Sequence, residues 1–140
     1  MDTLLLTERT LTDLDHARLK RLLAGTPAGP GQATSAALRA ALDNADLAPS
    51  RAIPPDVVTM YSRVLLVEST KNQHQVLTPC YPEDAEPAAG FVSVLSPVGS
   101  ALLGLRVGSL AVWQTPAGDE VQARVSAILF QPEASGDFVL

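Results

Sequence analysis

Three prolines within nine residues, Pro49, Pro54 and Pro55, divide this chain. Proline breaks a helix, gives no N–H to a central strand and pushes the residue before it into extended backbone. The stretch Ala48–Asp56 therefore reads as a linker, and the hydrophobic pattern changes period across it. Ahead of it, Leu11, Leu14, Leu19, Leu22 and Leu23 fall within about half a circumference at roughly 100° per residue. Thr12 and Asp13 suit a helix cap, the early acids and the later Arg18, Lys20 and Arg21 match the helix dipole, and Gly25 suits the stop. A loop of three glycines and two prolines follows over residues 25–31. A second helix is expected from Thr34 or Ser35, with Leu38, Leu42 and Ala45 at i, i+4 and i+7. Together they make an antiparallel helical hairpin. Each helix has about 12 residues and is about 18 Å long. Helices this short are marginal alone, so the hairpin is expected to lean on something else, such as a short strand at Leu4–Leu6.

Beyond the linker the pattern is β. Val57–Met60, Arg63–Val67, His74–Tyr81, Phe91–Leu95 and Leu110–Trp113 are candidate strands. Val121, Ala123, Val125, Ala127 and Leu129 alternate with polar residues, as a half-buried strand does. Several short strands separated by turn residues point to an antiparallel sheet. One short helix interrupts it: Ser96 suits the N-cap, Pro97 the first helical position and Gly104 the stop. The fold class is α+β, with a hairpin over residues 1–47, a linker over 48–56 and a β domain over 57–140.

Composition narrows the function. A chain of 140 residues with 46% hydrophobic and 18% charged residues can bury a core. A net charge of −5 disfavours autonomous nucleic-acid binding, which needs a basic surface. Cys80 is the single cysteine, so no internal disulfide and no cysteine-rich zinc site is expected, and a buried thiol is its default reading. Met1–Glu8 lacks a basic segment ahead of its three leucines, and no run approaches the roughly 20 apolar residues of a membrane span. A cytoplasmic protein is expected.

Chemistry-bearing patterns are sparse. Gly99 and Gly104 have the spacing of a phosphate loop, but Leu105 and Arg106 stand where that loop needs Lys and Ser or Thr. His16 and His74 have no ligand partners at metal spacing and read as solvated. Glu83, Asp84 and Glu86 lie between Pro82 and Pro87 and read as a solvated loop rather than a cation site. Ser96 and Ser100 have no histidine at fixed spacing. No catalytic residue, metal or cofactor is expected; the residues favour a binding protein over an enzyme.

Three separated motifs resemble one family. Pro55-Asp56-Val57-Val58-Thr59-Met60-Tyr61-Ser62-Arg63-Val64 is similar to the start of the globular domain in the regulators of nucleoside diphosphate kinase. Leu95 to Gly108, with its Ser96-Pro97 and Ala101-Leu102-Leu103-Gly104 elements, is similar to that family's central signature. Phe130-Gln131-Pro132-Glu133-Ala134-Ser135-Gly136-Asp137 is similar to its tail. These proteins are relatives of the Gre transcript-cleavage factors. Leu105, where Gre factors usually carry Lys, favours the regulator family. Tyr61 stands where its members often have Asn, and Ser109 where both groups commonly have Asp. The resemblance implies an N-terminal coiled coil, an FKBP-like C-terminal domain, and binding to RNA polymerase near its secondary channel. It also implies a functional link to nucleoside diphosphate kinase, and neither membrane nor direct sequence-specific nucleic-acid contact beyond a weak, indirect one.

Gre cleavage chemistry needs acids at the coiled-coil tip to help hold a magnesium ion, because carboxylates are the ligands of a hard cation. Here no Asp or Glu occurs from His16 through Leu42. Asp15 and Asp43 flank that gap, roughly 15 Å or more from the tip at 25–35. The expected function is therefore competition with Gre factors without cleavage. For docking, the resemblance points to Leu95, Ser96 and Pro97, with Leu95 where Gre factors usually have Asp or Asn. Two alternatives stand beside this: a direct effector of nucleoside diphosphate kinase, and a proline isomerase, which would need an aromatic-lined pocket.

Overall fold

The computed structural model describes residues 9–25, 32–68, 71–115 and 117–136. The expected strand at Leu4–Leu6 and most of the hairpin tip lie outside them. The chain opens on β1 (Thr10–Thr12), followed by α1 (Asp13–Ala24), α2 (Gln32–Asn44) and β2 (Asp46–Ala48). Thr12 caps α1, its side chain accepting from the Asp15 amide at 2.9 Å, and Gly25 closes it in right-handed backbone. β1 and β2 pair in parallel, Leu11 beside Leu47. That pairing is open to them because the helical crossover between them is long enough to bring the chain back in the same direction. β2 ends at Ala48, the first residue of the linker, and Ser50–Ala52 add a turn of 3-10 helix.

The second body is a five-stranded sheet of β3 (Arg63–Glu68), β4 (His74–Cys80), β5 (Phe91–Ser93), β6 (Leu110–Gln114) and β7 (Glu120–Phe130) in the order β5-β4-β3-β7-β6. It carries α3 (Pro97–Leu102). The architecture is mixed α+β, with two departures from the pattern. Val57–Met60 is not a strand: Val57 makes a single bridge to Arg106, and the chain then turns through Thr59–Ser62. The sheet is not wholly antiparallel, since β4 and β5 pair in parallel. Two 3-10 turns, Pro82–Asp84 and Pro87–Ala89, carry the chain back to Thr78 in the second half of β4, so that Phe91–Ser93 run beside Thr78–Cys80 in the same sense.

The alternation of β7 also shifts. Leu65 pairs with Ala127 but Leu66 with Val125, so Ser126 is the extra residue of a bulge. One extra residue swaps the faces beyond it. Ile128 therefore packs on the core, while Leu129 is 53% exposed.

Two hydrophobic clusters result. The first joins Val64, Leu66, Leu77, Ala123 and Val125 of the sheet to Ala101 and Leu102 of α3. The second joins Leu11, Leu19, Leu23, Leu38 and Leu42 of the hairpin to Met60, Val94 and Leu103. The short helices lean on the sheet body rather than standing alone, as helices of this length require.

Gly99 sets how closely α3 approaches the end of β5. A Cβ there would lie 2.0 Å from the Ser93 carbonyl oxygen, and backbone cannot move aside cheaply. Gly118 has a positive φ of 92° but open space around it. Gly99→Ala is expected to cost on the order of 3 kcal/mol or more, and Gly118→Ala about 1–2 kcal/mol. Urea unfolding of both variants checks the order; equal losses contradict the close approach.

Candidate functional site

The turn at Leu95-Ser96-Pro97 sits where the two clusters meet. Ser96 caps α3: its Oγ accepts from the Gly99 amide at 3.2 Å and donates to the Ser93 carbonyl at 2.6 Å. Ser93 Oγ accepts from the Leu95 amide at 3.0 Å, and Ser100 Oγ donates to the Pro97 carbonyl at 3.1 Å. These bonds fix the turn from within. Leu95 is half-buried against the hairpin cluster, and Val98 packs on the sheet cluster. Pro97 is exposed at the first helical position, where its missing N–H costs nothing. Of the three residues singled out in the sequence, Pro97 alone presents an exposed side chain.

Two polar contacts missed in the sequence hold the hairpin against this turn. Arg9 Nη1 donates to the Ser100 carbonyl at 2.9 Å and to the Leu103 carbonyl at 2.7 Å. A cation there satisfies the last carbonyls of α3. Beside it, the Thr10 amide donates to the Gly104 carbonyl at 2.9 Å. On α1, Asp15 is 1% exposed. Its carboxylate accepts from Arg18 Nη2 at 3.0 Å and from the Met60 amide at 3.2 Å. Burial pushes the Asp15 carboxyl above its ordinary range, against the pull of the Met60 and Arg18 bonds. Arg18 also lies 5.8 Å from the centroid of the Tyr81 ring, a cation–π distance. Burial drives Tyr81 up to about 12.

Tyr61 and Asp84 form a second tie. Tyr61 has φ 67°, the left-handed region that Asn tolerates better than an aromatic residue. Its hydroxyl donates to the Asp84 carboxylate, and its ring lies 5.9 Å from that of Tyr81. Asp84 is therefore more than a solvated loop residue. Nothing in the structure explains Ser109 in the same way. His16 is not simply solvated either: its Nε2 donates to the Leu42 carbonyl at 3.1 Å across the hairpin. Cys80 is buried, and burial raises its thiol. Glu133 accepts from Thr59 Oγ1 at 2.6 Å, and its carboxyl is raised by burial. Among the described residues, no three His, Cys, Asp or Glu side chains come together as a metal site, and no helix is long and apolar enough to cross a membrane.

Both flanking acids of the hairpin are now placed. Asp15 is consumed by the junction with Met60, and Asp43 is exposed near the end of α2. Asp15 lies in the first turn of α1 and Asp43 in the last turn of α2, and residues 25–35 carry no acid.

Residues 53–130 match the family described as transcription elongation factor GreA/GreB, C-terminal domain. A curated relative, the regulator of nucleoside diphosphate kinase from Escherichia coli (strain K12), is 40% identical over 130 residues, covering 93% of this chain and 95% of the relative. Transcription elongation factor GreA from Geobacillus kaustophilus (strain HTA426) is 35% identical over 65 residues, 46% of this chain and 41% of that protein. A solved structure, a prokaryotic transcription elongation factor GreA/GreB from Nitrosomonas europaea, superposes with a TM-score of 0.71 at 35% identity, covering 88% of this chain and 98% of that one.

A raised carboxyl binds protons more readily in the folded state, so the Asp15 contribution to stability grows as pH falls through its folded pKa and levels off below the unfolded value near 3.8. Asp15→Asn removes that proton-linked contribution. The stability of the wild type minus that of Asp15→Asn is expected to rise from pH 7 to pH 4 in urea titrations; a difference that falls with acid contradicts the burial of the charge.

Proposed function

We propose a function from one premise: the chain belongs to the GreA/GreB C-terminal family, among the regulators of nucleoside diphosphate kinase. On that basis it is a Gre-like transcription factor. We read it as an occupant of RNA polymerase near the secondary channel that competes with Gre factors and does not stimulate transcript cleavage. It acts in the cytoplasm by occupancy rather than catalysis. The sheet body is read as FKBP-like, a reading supported by a five-stranded sheet carrying one short helix.

One observation carries the non-cleaving half of this reading. The hairpin has no carboxylate between its base and its tip, and the acid at the base of α1 is buried against the Met60 amide. A hard cation offered to the tip would find no carboxylate ligand there. For docking, Pro97 is the exposed apex of a turn held rigid by Ser93, Ser96 and Gly99, with Leu95 and Ser96 supporting it from beneath. A rigid exposed turn loses little entropy on binding.

The name of the Escherichia coli relative favours one second reading, direct action on nucleoside diphosphate kinase. Assay of the purified kinase with and without this chain separates it from an effect through transcription.

On stalled elongation complexes the wild-type chain is expected to leave transcript length unchanged while a Gre factor in a parallel reaction shortens it; stimulated cleavage overturns the reading. Pro97→Asn is expected to lower polymerase capture about tenfold, the effect of losing roughly 1.4 kcal/mol, with an unchanged unfolding midpoint. Undiminished capture by a folded Pro97→Asn removes the turn from the interface.

A further inference from the structure

We propose that β6 is the docking edge for a second copy of this chain, pairing antiparallel with its own mate about a two-fold axis at Val112. This inference is independent of the polymerase reading. It starts from which backbone groups the edge leaves open. Among the described residues, β6 closes the sheet on one side, with β7 as its one neighbour. The Val125 amide donates to the Ser109 carbonyl at 2.9 Å, and Leu110 stands opposite Arg124. In an antiparallel ladder bonded and non-bonded pairs alternate. The Leu110–Arg124 pair is thus non-bonded, while Ala111–Ala123 and Trp113–Val121 exchange the bonds with β7. The amides and carbonyls of Leu110, Val112 and Gln114 consequently point outward. No turn or loop among the described residues bonds to them.

The two edges of the sheet are treated differently. At β5 the 3-10 turn folds over the edge: the Glu86 amide donates to the Phe91 carbonyl at 2.9 Å, and the Phe91 amide to the Glu86 carbonyl at 3.1 Å. Among the described residues, β6 has no such cover. Its sequence, Leu-Ala-Val-Trp-Gln, contains no charge and no proline, and its ladder with β7 has no bulge. Those are the devices by which exposed edges are normally kept from pairing.

The same strand is complementary to itself. With the axis at Val112, the outward-pointing residues fall opposite each other: Val112 meets Val112 of the second copy, and Leu110 meets Gln114 in both directions. Every outward amide and carbonyl then has a partner. On the α3 side, the large Trp113 falls opposite the small Ala111. No charge faces a like charge, which a cross-strand pair would resist. A five-residue pair buries less than the roughly 1,000 Å² of a standing interface. The dimer is therefore reversible and fills at high concentration. Self-complementarity is what selects a second copy over a strand from another protein.

The mate's residue 112 would lie about 5.5 Å away between Cα atoms, the spacing of a bonded antiparallel pair, which is within disulfide range. Cys80 is buried and does not compete. Under mild oxidation, full-length Val112→Cys is expected to form a cross-linked dimer at least tenfold faster than Ser126→Cys, whose exposed site lies on β7. In sedimentation velocity the wild type is expected to shift from monomer toward dimer as concentration rises, and Val112→Lys to remain monomeric with its unfolding midpoint kept. A wild type that stays monomeric to its solubility limit overturns the proposal, whatever the variants do. So do equal cross-linking rates for the two cysteine variants.

Discussion

Arg9 places a cation on the last carbonyls of α3, and Asp15 accepts the Met60 amide a short way along the same seam. These contacts join the helical hairpin to the sheet. Between them lies the cluster shared by Leu11, Leu19, Leu38 and Leu42 on one side and Met60, Val94 and Leu103 on the other. Removing a partner of either polar contact leaves a buried charge or amide unsatisfied, which costs more than the bond itself contributes. The seam also underlies the turn at Leu95-Ser96-Pro97, because Leu95 packs into the hairpin cluster from the opposite end of that turn. The exposed Pro97 is therefore positioned by the hairpin as well as by its own helix cap.

That arrangement decides what the hairpin can contribute. Its one buried acid serves packing, and its tip carries none. The charge excess of the chain lies elsewhere: residues 1–47 hold six acids and five bases, while residues 48–140 hold nine acids and five bases. A short hairpin with acids only at its base and none at its tip offers no carboxylate to a metal ion there.

Much of this fold was legible because local chemistry and tertiary packing agree. Ser96 and Pro97 specify the start of α3 by capping, and the hairpin helices follow from leucine spacing and Thr12. The misses share a cause. The parallel β4–β5 pair depends on how two proline-led 3-10 turns redirect the chain, and the bulge at Ser126 on pairing with β3; neither is encoded in a residue's own preference. Arg9 and Asp15 looked like ordinary surface charges, because their partners are backbone groups some 91 and 45 residues away. Tyr61 could be flagged as unusual for the family it resembles. The reason, a left-handed backbone held through Asp84 and Tyr81, lies in contacts that form only in the folded chain.

The central claim, occupancy shared with Gre factors, is tested most directly by competition for polymerase. Immobilised RNA polymerase is loaded with this chain, and a Gre factor is titrated in while both bound proteins are quantified. The account expects mutual displacement at one-to-one stoichiometry. Simultaneous retention of both proteins, or no binding of this chain at all, contradicts it.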